Sequence, residues 1–86
     1  MQPTPHMASP YSERFPKGTR VRIQDRDALT RFKKEWSLHH PLEEPQLSFA
    51  GREAIVTAVG FYHGGDVLYE LEGIPGTWHE RCLTTP

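Results

Sequence analysis

Polar and apolar positions along the chain change period several times, and each change marks an element. Thr19-Arg20-Val21-Arg22-Ile23 alternates strictly, with Val21 and Ile23 on one face and Arg20 and Arg22 on the other. That period of two predicts a half-buried antiparallel strand whose charged face discourages edge pairing. From Asp25 to Trp36 the period becomes helical: Ala28, Leu29, Phe32 and Trp36 share one stripe, and Asp25 or Asp27 is placed to cap it. The spacing also offers Asp27/Arg31 and Arg31/Glu35 as i,i+4 ion pairs. Ser37 to Phe49 has two prolines and no period, which predicts a long loop tethered by Leu42 and Leu47.

The stretch Gly51 to Leu83 predicts a β-meander. Arg52 to Tyr62 is the longest strand candidate, with Ile55, Thr57, Val59 and Phe61 on one face. Ala54, Val56, Ala58, Gly60 and Tyr62 take the other. Two fairly apolar faces suit a central strand, and Gly60 is the expected bend. His63-Gly64-Gly65-Asp66 supplies hairpin chemistry. Val67, Tyr69 and Leu71 then point inward, with Glu70 and Glu72 outward. Gly73-Ile74-Pro75-Gly76 reads as a turn, Thr77 to Glu80 as a short strand, and Arg81-Cys82-Leu83 as one helical turn.

Strand, helix, loop, meander and closing turn together predict a mainly β fold. The architecture expected is a small SH3-like antiparallel barrel with one helix inserted after the first strand. Eighty-six residues make one domain with a thin core. Residues 1–14, with three prolines in the first ten, are expected to be a disordered N-terminal segment, and residues 15–86 the barrel domain.

Composition narrows the setting. No apolar run approaches membrane-spanning length, and no charged-then-apolar leader is present. A single cysteine, Cys82, excludes an internal disulfide framework and implies a reduced, cytoplasmic location. The net charge of −1 conceals an asymmetry: eight basic residues lie between Arg14 and Lys34, and eight acidic ones between Glu35 and Pro86. Either the two halves pair their charges, or the basic face formed by Arg20, Arg22, Arg31, Lys33 and Lys34 meets a nucleic acid.

The order of elements, with these residues in it, resembles SH3-like accessory subunits, and most fully the C-terminal domain of nitrile hydratase β subunits. The residues that carry the resemblance are Gly18, Val21, Arg22 and Ile23, then His39 or His40 with Pro45, then Gly51, Val56 and Gly60-Phe61. Asp66, Leu68-Tyr69, Trp78, Glu80 and Leu83 complete it. More distantly, His39-His40-Pro41 is similar to a segment of the ferredoxin–thioredoxin reductase variable chain. The resemblance implies a chain that buttresses a separate catalytic subunit and performs no chemistry alone.

The chemistry-bearing residues give three readings. The first is a non-catalytic protein-binding module, with another protein subunit as partner, no cofactor and no membrane. Its surface joins the His39–Phe49 loop, the His63–Asp66 hairpin and Trp78–Glu80, with His39, His40, Tyr62, His63, Trp78, His79 and Glu80 as contact residues. The second is a metal-binding or catalytic barrel built on His79-x-x-Cys82, an i,i+3 spacing that needs further ligands. The third uses the Arg20–Lys34 basic face to track phosphates, with Tyr62 or Tyr69 stacking a base.

Overall fold

A computed structural model describes residues 13–62 and 65–86. The first strand, β1 (Arg20–Ile23), follows its alternation: Arg20 and Arg22 are exposed, and Val21 and Ile23 are fully buried. Helix α1 (Arg26–Glu35) begins where Asp25 Oδ1 accepts from the Ala28 amide at 2.8 Å. Asp27 in its first turn and Lys33 and Lys34 in its last complement the helix dipole. Its stripe buries Leu29 and Phe32 against the sheet, and Trp36 packs at the margin. The two i,i+4 pairs expected on its outer face do not form; Glu35 instead binds Arg81 at 2.8 Å.

The expected loop is half right. Its second half winds into a 3-10 helix, Glu44–Phe49, entered through Pro45 and closed by Gln46, whose side chain accepts from the Glu43 amide at 2.7 Å. Leu42 and Leu47 are buried, as tethers should be.

Three further strands form the meander: β2 (Glu53–Phe61), β3 (Val67–Leu71) and β4 (Ile74–His79). A second 3-10 turn, Glu80–Cys82, leads to β5 (Leu83–Thr84). All pairings are antiparallel, in the order β4-β3-β2-β1-β5. The result is a mainly β, curled half-barrel of five strands with one helix after the first.

Four local expectations need correction. The irregularity in β2 lies between Val56 and Ala58, not at Gly60, which pairs regularly with Leu68. The bulge inserts a residue, so side-chain parity flips: Ala54 and Val56 face the core before it, and Val59 packs on the core after it. The β3–β4 turn is tighter than expected, because Leu71 pairs directly with Ile74 and Glu72-Gly73 alone form the corner. Leu83 and Thr84 add a strand by pairing with Ile23 and Arg22.

The sheet does not close through β4 and β5, so its ends are protected by other means. β5 is only two residues long. Along β4, Pro75 has no amide hydrogen, and the Thr77 carbonyl accepts from Gln46 Nε2 at 3.1 Å. The first 3-10 helix thereby caps that edge.

The two charge blocks meet. Glu53 bridges Arg22 at 2.7 Å and Arg20 at 3.8 Å, and Glu44 lies 3.6 Å from Lys33. The antiparallel β1–β2 register, with Arg22 opposite Glu53, makes the first of these contacts a cross-strand pair.

Candidate functional site

The site is built where the His39–Phe49 loop returns to the sheet. Two hydrogen bonds fix the start of that loop. Trp36 Nε1–H donates to the His39 carbonyl at 2.8 Å, and the His79 ring nitrogen Nε2 lies 2.9 Å from the His40 carbonyl. A carbonyl only accepts, so Nε2 carries the proton in the second bond. Between them the chain turns sharply, and His40 takes a left-handed φ of +48°, a conformation that costs a non-glycine residue on the order of 1 kcal/mol.

Around these bonds the aromatic side chains gather. The His39 ring stacks on Tyr62 at 3.7 Å between centroids, and His40 stands edge-on to Tyr62 at 5.6 Å. His79 is 5% exposed and lies 5.0 Å from both Phe32 and Trp36. His39 Nε2 comes within 3.2 Å of Asp66 Oδ2, close enough for an ion pair, but makes no hydrogen bond. Burial lowers the pKa of His79 below the usual histidine value, and the nearby His39 adds to the effect. The His40 carbonyl and Asp66 oppose it. His79 is thus a neutral imidazole donor that pins the loop.

Of the residues expected to contact a partner, the fold brings His39, His40, Tyr62 and His79 into one cluster. Glu80 lies at its edge, where Oε2 accepts from the Tyr69 hydroxyl at 2.5 Å and from the Arg14 amide at 3.0 Å. Burial first, and this bond second, push the Tyr69 hydroxyl up to about 12. Tyr69 is wholly buried and offers no face to a base. Trp78 is likewise wholly buried, so its side chain is core and not surface anchor. His63 lies outside the described residues.

The residues of the other two readings stand as follows. Cys82 is 1% exposed, and burial pushes its thiol up to about 12, far from the thiolate that binds metal or attacks carbon. Among the described residues no group of three potential ligands converges, and His79 spends its Nε2 on the His40 carbonyl. In the basic stretch, Arg20, Arg22 and Lys33 are engaged by carboxylates. Arg31 and Lys34 project from the exposed side of α1.

Behind the cluster lies a cavity of about 380 Å³, which alignment of periods does not reveal. Pro41, Pro45 and Phe49 form its loop wall, and Pro75, Gly76 and Thr77 of β4 form the other. Glu43 and His40 complete the lining. Its volume lies within the roughly 300–1,000 Å³ typical of ligand pockets, and its walls are mostly apolar. Gln46 ties the two walls together. It is 6% exposed, and its amide joins the Glu43 amide to the Thr77 carbonyl. Gly76, at a φ of +99°, makes room for it by lacking a β-carbon. The Glu43-x-x-Gln46 spacing is the one signal of this clamp in the sequence, because a Gln three residues into a helix commonly bonds back to the cap amide.

No helix among the described residues is long and apolar enough to cross a membrane. Compared with known proteins, the chain matches no family model, no curated protein and no solved structure.

Proposed function

We propose that this chain is a non-catalytic protein-binding module that serves as an accessory subunit of an enzyme complex, in the manner of nitrile hydratase β subunits. The observation that carries the binding part is the apolar cavity beside β4, whose two walls are linked by the Gln46 clamp. The Gln46 amide and the Thr77 carbonyl are already spent on each other, and the mostly apolar walls offer a partner shape and apolar surface. Strand addition is not the docking mode, because Pro75 lacks a donor and the Thr77 carbonyl is taken. The partner inserts side chains between Pro45, Phe49 and Pro75 instead.

Co-purification with partner titration tests this. Pro75 is exposed on an edge strand, so Pro75→Arg fills the cavity without touching the core. A stoichiometric partner that binds the wild type and is lost with Pro75→Arg, while circular dichroism and melting stay unchanged, is the expected result. A partner bound equally by the variant overturns docking at the cavity. Loss on Arg20→Glu/Arg22→Glu alone would move the function to the basic face.

A further inference from the structure

A second, smaller cavity is lined by His79 itself. It measures about 160 Å³ and sits between Phe32 of α1 and Trp36 just after it, Asp66 just before β3, and Glu80 and Arg81 of the second 3-10 turn. A cavity of this size holds a group about as large as benzene. We propose that it receives the ammonium head of a lysine side chain presented by the partner protein. The inference rests on the protein-binding reading and adds the chemistry of the contact.

The charges around the cavity select the sign of the ligand. Asp66 and Glu80 face it with two carboxylates, against one cation, Arg81. That cation is already neutralised from outside, since Arg81 binds Glu35 at 2.8 Å. Glu80 Oε2 accepts from two neutral donors, the Tyr69 hydroxyl and the Arg14 amide, and Glu80 forms no ion pair among the described residues. His79 is held neutral by burial, and His39, 3.2 Å from Asp66, makes no hydrogen bond to it and offsets its charge only when protonated. An anion is repelled here, and an uncharged apolar group would strip water from carboxylates and return nothing.

The rings select the shape. The Arg81 guanidinium lies over the Phe32 ring at 5.0 Å, so the cluster already holds one cation against a π face. Trp36 stands beside it, its ring near parallel to Phe32 at 12° and half-buried. A lysine satisfies both demands: its methylene stem runs along the indole, and its ammonium reaches Asp66 and the remaining oxygen of Glu80.

The test uses the whole chain and a defined probe. Backbone and indole NMR shifts are followed during titration with Nα-acetyl-lysine methylamide, and in parallel with Nα-acetyl-norleucine methylamide, which keeps the stem and lacks the ammonium. The expected result is saturable, millimolar binding of the lysine probe, with shifts at the Trp36 indole and the Gly65–Val67 amides and none from norleucine. Asp66→Asn should weaken it about fivefold. Equal binding of norleucine, shifts confined to other residues, absence of binding, or an Asp66→Asn variant that binds like wild type each overturns the lysine site. These outcomes leave docking at the larger cavity standing, because Pro75→Arg probes that separately.

Discussion

Replacing Gly76 with alanine should destabilise the domain by about 2–3 kcal/mol, and the geometry shows where that comes from. Gly76 has a φ of +99°, and holding a residue with a β-carbon at positive φ costs on the order of 1–2 kcal/mol. The added carbon also lies 2.8 Å from Gln46 Nε2 and 3.2 Å from its Cδ. A free side chain would swing away, but this amide is buried and fastened at both ends, to the Glu43 amide and the Thr77 carbonyl. Moving it sacrifices the Thr77 bond, worth about 1 kcal/mol. In a domain of this size the sum lowers the melting temperature by roughly 10–20 °C. Thermal and urea unfolding of Gly76→Ala, Gln46→Ala and the double variant provide the assay. Removing the Gln46 amide relieves the clash, so the two effects should be sub-additive by about 1 kcal/mol. Gly60→Ala is the control: its β-carbon meets nothing within 4 Å and its φ is not positive, so it should be neutral or slightly stabilising. A Gly76→Ala variant within about 0.5 kcal/mol of wild type, or strict additivity with Gln46→Ala, would refute the clamp.

Three further outcomes follow from the same structure. His79 has a folded-state pKa below its unfolded value, so the unfolded chain binds the extra proton first; stability is full above about pH 6.5 and falls as pH drops through that value. Urea midpoints between pH 8 and 5 should show this slope, and His79→Gln should flatten it. Cys82, buried with its thiol pushed up to about 12, should resist a thiol-specific reagent in the native protein and react at once in guanidinium; native reactivity would mean that the second 3-10 turn opens. Trp78→Ala should cost about 3–5 kcal/mol and abolish cooperative unfolding, because the ring is wholly buried; a folded variant that only loses partner binding would contradict its place in the core.

The correct expectations are those set by neighbours in the chain. Val21 and Ile23 face inward because a strand alternates, whatever lies opposite. Asp25 caps α1 because its side chain reaches an amide three residues away. Leu29 and Phe32 are buried because a helical stripe of that kind has to be covered. The charge asymmetry was also legible, and the antiparallel register resolves it by setting Glu53 against Arg20 and Arg22.

The rest depends on residues far apart, which pattern cannot bring together. The parity of β2 is reset by a bulge that only its pairing with β3 defines. Thr84 becomes a strand because Arg22 is there to pair with it, not from any propensity of its own. Gln46 is a polar residue in a loop until Thr77, 31 positions on, supplies its carbonyl. His79 was visible as a candidate ligand, yet the His40 carbonyl, 39 positions back, makes it a pin. The sequence alone determined the elements and the faces they bury, because those follow from local period and capping. The tertiary structure decided the open half-barrel, the cavities beside β4 and His79, and the contacts of His39, His40 and His79. Those are set by which distant donors, acceptors and rings are brought within a few ångströms of one another.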